Sequence, residues 1–450
     1  MRILLHHGRA VLSEGIEPLD ILVEDGHIAA LVPPGTEAEA DRVIDAFGCY
    51  VLPGFIDFHV HLDDQIGAFY LADTYESGSR VAVLNGITTL CSFVTQGSTE
   101  SLVQGLHRAR AKAQGNSHSD LLWHLTPTTF GVDDWRDLEQ LVAHGYRTFK
   151  FYTTYKAAGI FADQVRMEAA FRRLGPLGAR FLVHCEDDDL MASVDTGPLD
   201  LSRAGTHGQL RPERAEQMAV SALLALATHC EAPLHVVHVS TVGAAEALLR
   251  VRGMADITCE TCPQYLWLDD AWLDREDGHR WLCSPPLRGD REAFRDLARA
   301  GAFDILATDH CAFRRADKDG WDHRDIRTVA NGLAGLGALP HLAWKLWEGD
   351  PDRAAQELAQ RLSLHPARRA GIENRKGSIR IGMDADLVVL DPNGPENPLV
   401  STLADAHETY PGFTSRLAFR HVLLRGESVV AHGKLLHPAS PKGILLQPQP

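Results

Sequence analysis

The chain has 450 residues, enough for one large barrel with appendages or for three domains of ordinary size. With 45% hydrophobic and 23% charged residues, and 38 Gly and 23 Pro spread along its length, it reads as a globular protein, and disorder, collagen and coiled coil are excluded. The net charge of −16 (44 basic, 60 acidic side chains) argues against a nucleic-acid partner, and no apolar run approaches the ~20 residues of a membrane helix.

In chain order, the first fifty residues alternate short apolar strands with turns: ILLHHGRAVL, then LDILVEDGHIAALV with Asp25-Gly26 as a hairpin signal, then DRVIDAFGCYVLP. The opening MRILLHHGRAVL lacks the long apolar stretch and cleavage site of a signal peptide, and the eight cysteines are scattered, so a cytoplasmic protein with reduced thiols is expected. Over residues 53–375, strands are predicted at FIDFHVHL, GITTLCSFV, DLLWHLTP, YRTFKFYT, ARFLVHCED, PLHVVHVST, DITCETCPQY and FDILATDH, with helices between them, including 98–113, 162–178, 214–230 and 242–254. Eight strand–helix units over about 250 residues are the pattern of an α/β fold, a (β/α)8 TIM barrel. The tail returns to the opening style, with turns at Arg425-Gly426 and His432-Gly433. Residues 1–52 and 376–450 are therefore expected to build one small β-sandwich from both termini, ending in a QPQP segment expected to fray.

Barrel enzymes place their chemistry at the C-terminal ends of the strands. Here the first strand ends in His59-Val60-His61, two imidazoles two residues apart and so on one face. The fourth carries Lys150, the fifth ends in His184, the sixth in His238 and the eighth in Asp309. Each alone is compatible with a structural residue. Together, four imidazoles and a carboxylate converging on a barrel mouth match the ligand preferences of Zn2+, with Mn2+, Co2+ or Fe2+ as alternatives. An ammonium among cations is driven toward its neutral form, and a neutral amine reacts with CO2 to give a carbamate whose two oxygens can bridge two metals. The expected arrangement is His59, His61 and Asp309 on one divalent ion and His184 and His238 on another, with the carbamate of Lys150 between them. Two such ions lower the pKa of water and polarise a carbonyl, and Asp309 is the expected carrier of a proton to the leaving nitrogen. Cys259 and Cys262, the only cysteines spaced like a metal or redox pair, lack a second pair and are read as structural.

The runs PGFIDFHVHL, FKFYTTYK, VHCED, VVHVST, ETCPQYL, CSPPLR, ATDHCAF and KGSIRIGMDADLVVLDP, in this order between about residues 45 and 392, resemble the cyclic amidohydrolases, most closely the dihydropyrimidinase/hydantoinase branch. The resemblance implies two metals bridged by a carboxylated lysine, a homotetramer or homodimer, and hydrolysis of a small cyclic amide. Dihydropyrimidines or 5-substituted hydantoins would open to N-carbamoyl amino acids. It also implies Tyr155 as the phenol that stabilises the tetrahedral oxyanion, and Ser284 and Asn331 as positions whose backbone groups bond the ring's N–C=O edge.

Departures from the family bear on the substrate. Dihydroorotases carry an arginine just after HxH, where this chain has Leu62-Asp63-Asp64, and allantoinases tend to carry a histidine where it has Gln264. The loop DDQIGAFYLADTYES is more acidic than the apolar loop of hydantoinases, with Ile66, Phe69, Tyr70 and Leu71 as its apolar lining and Asp63-Asp64 read as a solvated turn. The alternatives are an allantoinase or other cyclic amidase, and a non-catalytic scaffold of the same fold. Scaffold relatives typically lose metal ligands, whereas this chain keeps all six.

Overall fold

The computed structural model of the protein describes residues 1–446, so the QPQP end lies outside the described residues. Eight parallel strands form one sheet in chain order: β1 (Phe55–Val60), β2 (Ile87–Thr95), β3 (Asp120–Thr126), β4 (Thr148–Tyr152), β5 (Arg180–His184), β6 (Leu234–Val236), β7 (Ile257–Thr261) and β8 (Ile305–Leu306). The sheet closes where Val60 bridges His310 and the His61 amide donates to the His310 carbonyl at 2.7 Å. Every residue of β1 and β3 is buried, as parallel strands covered on both faces must be. Ile56, Phe58, Leu182, Val237 and Ile305 pack together as an apolar cluster drawn mainly from the strands.

The connecting helices follow from caps and spacing. Leu102–Ala113 begins at Ser101, whose hydroxyl accepts from the Gln104 amide at 3.2 Å while Gln104 returns a bond to the Ser101 amide at 2.8 Å. Its buried residues Leu102, Leu106, Ala109 and Ala113 recur at helical spacing. Two strands are shorter than their apolar runs. β6 stops before His238, whose φ of 38° is outside the strand region, and β7 yields to a helix over Pro263–Trp267 because a proline has no N–H to give a ladder but suits a first helical turn.

The termini meet in a sandwich. A seven-stranded sheet places Tyr50–Pro53 antiparallel to Leu387–Asp391, so N-terminal strands pair directly with C-terminal ones, and a four-stranded sheet is built from the first 45 residues. Ile3, Ile21, Val23, Val51, Leu387, Val389 and Leu423 form the apolar layer. The predicted tight turns are present: Asp25-Gly26 and Arg425-Gly426 carry positive φ at both residues, as two-residue hairpins of this hand require. These two tips abut, since a Cβ on Gly426 would lie 3.0 Å from the Gly26 Cα.

The sandwich is bolted to the N-terminal end of the barrel by buried charge. Lys376 ion-pairs with Asp386 and with Asp120 (2.9 Å), the first residue of β3. Arg425 also pairs with Asp120, while its amide donates to Asp386 at 2.7 Å. Among the described residues, no helix is long and apolar enough to cross a membrane.

Candidate active site

The seam between β1 and β8 positions the first group. Asp57 of β1, fully buried, accepts from the Thr308 amide at 3.1 Å and the Thr308 hydroxyl at 2.6 Å, which ties the segment after β8 to β1 just before Asp309. Burial pushes the Asp57 carboxyl up to about 7. Asp309 then turns through a φ of 50° and presents Oδ1 to His59 Nε2 at 3.1 Å and to His61 Nε2 at 3.6 Å. Ligand atoms of His59, His61 and Asp309 all lie within 4.8 Å of one another. Phe93 packs beneath both imidazoles, its ring centroid 4.6 Å from each.

His184 and His238 lie beside this group. Their ring centroids are 4.5 Å apart, and His238 is 5.4 Å from His59. Lys150 is buried, its Nζ 5.1 Å from the Phe93 and Tyr152 rings. All six predicted ligands therefore gather at one mouth, with the tight contacts confined to His59, His61 and Asp309.

The electrostatics favour neutral ligands. Burial holds His59, His184 and His238 below the usual imidazole range, and burial lowers the Lys150 ammonium to about 8 against the pull of Asp309 and Glu260. Glu260 lies 2.5 Å from His59 Nδ1, and Glu186 lies 2.6 Å from His184 Nε2. Glu260 leaves the opposite nitrogen of His59 turned to Asp309 at 3.1 Å, as carboxylates behind metal-bound histidines do. His238 Nδ1 is buried without a partner. An orphaned imidazole nitrogen beside a His-His-Asp group, with neutral bases around it, is a donor set that fits divalent metal.

Tyr155 follows β4 in a left-handed conformation, φ 68°, held by the Asp188 carboxylate, which accepts from its amide at 2.8 Å and from the Thr154 hydroxyl at 2.9 Å. Its ring is 5.3 Å from His184. Burial raises its phenol above the ordinary value, which keeps the O–H available as a donor. Asn331 Nδ2 donates to Ser284 Oγ at 2.6 Å, and Asn331 Oδ1 is buried without a partner. These two residues therefore stand together.

The acidic loop after His61 is better anchored than a solvated turn: Lys112 reaches the Asp63 carbonyl (2.7 Å) and carboxylate (3.2 Å), and Phe69 stands 6.0 Å from Phe313. Gln264 is buried, with Tyr410 at 3.5 Å. Cys259 and Cys262 are free and buried, and burial raises both thiols.

Sequence reasoning did not single out Glu260, Glu186 as a site group, Asp57 or Arg211, which ion-pairs with Glu186. Glu260 had a signal, a carboxylate inside a strand otherwise bound for burial. Arg211 had none, because it belongs to a long excursion between β5 and β6.

Residues 224–429 match the amidohydrolase family. The chain is similar to a D-hydantoinase of Streptomyces coelicolor, 32% identical over 95% of this chain and 94% of that one. It is similar also to a D-phenylhydantoinase of Escherichia coli O81 (strain ED1a), 31% identical over 100% and 99%. Among solved structures, a dihydropyrimidinase from Brevibacillus agri NCHU1002 superposes with a TM-score of 0.93 at 26% identity, covering 100% of this chain and 99% of that one.

Proposed function

The chain belongs to the dihydropyrimidinase/hydantoinase branch of the amidohydrolases and hydrolyses a cyclic amide C–N bond, and from that premise we propose that it opens dihydropyrimidines or 5-substituted hydantoins to N-carbamoyl amino acids. The observation that carries the reading is the His59–His61–Asp309 group at the barrel mouth, with the unpartnered His238 Nδ1 beside it. The comparisons favour this branch over allantoinase, and a non-catalytic scaffold has no use for six retained ligands.

His59, His61 and Asp309 would hold one divalent ion, zinc by the chemistry of the donors, His184 and His238 would hold a second, and carbamylated Lys150 would supply further oxygen donors. When bound, such ions make water more acidic and polarise the carbonyl it attacks. Asp309, partly exposed where His59 is buried, takes one proton from the attacking water as the oxygen bonds to the carbonyl carbon. It delivers that proton to the ring nitrogen as the C–N bond breaks and the bonding pair goes to nitrogen. The net change is addition of one water. Tyr155 donates its phenolic proton in a hydrogen bond to the carbonyl oxygen as negative charge develops there. Ser284 and Asn331 hold the N–C=O edge of the ring through their backbone groups. Eight free cysteines, most of them buried, support a cytoplasmic setting, and family resemblance supports a homotetramer or homodimer.

The test is ring opening of dihydrouracil, hydantoin, a bulky 5-substituted hydantoin, allantoin and dihydroorotate, with metal per subunit measured on the same sample. Turnover of the first three with about two metals per chain is expected from the ligand count. Two metals with only allantoin opened would overturn the ring assignment.

A further inference from the structure

Between β5 and β6 the chain leaves the barrel and returns through a short helix, Thr206–Leu210, directly before Arg211. The Arg211 side chain is turned inward, with only 14% of its surface exposed. One guanidinium meets two groups with separate tasks. Its Nη2 is 3.2 Å from the Tyr155 Oη, and the cation lies 5.1 Å from the centroid of that ring. The same guanidinium ion-pairs with Glu186, through Nη2 and through Nε at 3.1 Å, and Glu186 in turn takes the Nε2 side of His184 at 2.6 Å. The backbone of Arg211 is fixed as well, since its carbonyl accepts from Arg288 Nη1 at 2.9 Å.

We propose that Arg211 is a positioning residue that aims the Tyr155 hydroxyl at the reacting carbonyl and, through Glu186, fixes the orientation of His184. The inference rests on the reading of Tyr155 as oxyanion donor. A guanidinium has donors and no acceptor. It occupies a lone pair of the phenol oxygen but cannot take the phenol proton, so the O–H is left to donate to a partner other than Arg211. A water molecule at the same place would accept that proton and let the hydroxyl turn. The fork on Glu186 fixes the plane of the guanidinium.

The experiment is a double-mutant cycle on metal-replete protein with a hydantoin that the wild type opens, using Y155F, R211Q and the double variant. Alongside it, loss of metal to a chelator is timed for wild type, R211Q and E186Q. Y155F is expected to lower kcat by about 10²–10³-fold, and R211Q to lower kcat with little change in KM. The double variant should lose less than the product of the two single losses, because part of what Arg211 does for kcat passes through the phenol and is already gone in Y155F. Metal should leave R211Q and E186Q faster, with affinity lower by about 10–100-fold. R211K keeps a cation for Glu186 but cannot span both partners, so it should retain the wild-type Tm and still lose kcat, which keeps the test valid if R211Q folds poorly. Losses that multiply in the double variant, or wild-type kcat in both R211Q and R211K, overturn the inference while leaving Tyr155 its role. Wild-type kcat in Y155F overturns the reading of Tyr155 and the inference with it.

Discussion

At the N-terminal end of the barrel, Lys376 and Arg425 share Asp120 and both contact Asp386, so buried cations and anions face one another directly. At the C-terminal mouth, His238 Nδ1 and Asn331 Oδ1 have no partner, and His238, Asp309 and Tyr155 hold positive-φ backbone that costs on the order of 1 kcal/mol or more each. The basic groups there are pressed toward neutrality, whereas Lys376, although burial opposes it, is held charged by Asp120 and Asp386. The two ends differ in how their polar groups are met: by ion pairs at one end, and at the other by neutral bases with unpartnered nitrogen and oxygen atoms, which is where metal and substrate can be received.

That contrast can be broken by substitutions at either end. Asp309→Asn should lower kcat by about 10²–10⁴-fold with Tm nearly unchanged, measured by steady-state kinetics and thermal melts on one preparation. Lys376→Ala should do the reverse, costing about 3–5 kcal/mol of stability by leaving carboxylates uncompensated while the folded fraction keeps its kcat. A fall in kcat per folded molecule would show that the two ends are coupled. Glu260→Gln should weaken metal binding by about 10–100-fold, read by competition with a chelator, because the His59 ring loses the partner that sets its orientation.

The smallest effect separates the ends by pH. His124, bonded at both nitrogens, is lowered by burial to about 3. An unfolded histidine binds a proton below about 6.5 that the folded one refuses, so this contribution is full above that value and is lost as pH falls toward the folded one. Asp120 behaves differently: burial would raise it, but Lys376 and Arg425 keep it below 3.8, so its contribution is present above 3.8 and goes as pH falls through the lower folded value. Urea midpoints should therefore decline in two stages, from about pH 6.5 and again below about pH 4. Lys376→Ala should lose most of the second stage, and an unaltered second stage would assign acid lability to other groups.

The barrel was legible because parallel strands buried on both faces must be written as short apolar runs, and the gathering of the six candidate ligands at one mouth because strand ends are where a barrel can expose them. What strand-end reading could not reach were the groups one step back. Glu260 lies within β7 rather than at its tip, Asp57 lies within β1 beneath His59, and Arg211 comes from an excursion whose path no periodicity encodes. Gln264, read as a mark of the hydantoinase branch against allantoinases, agrees with the relatives the chain resembles, and it lies buried beside Tyr410. Chemistry could be assigned from residue type and order, while support for that chemistry depends on contacts between segments far apart in the chain.

The pairing of Tyr50–Pro53 with Leu387–Asp391 also governs how the protein is made. A ribosome must add the 333 residues from 54 to 386 between the two strands, on the order of tens of seconds at ordinary elongation rates. Throughout that interval Val51 and Leu52 lack the neighbour that later buries them, and the nascent strand edge stands open to any other extended segment. A strand synthesised early thus waits for one of the last to be made before its second edge is covered.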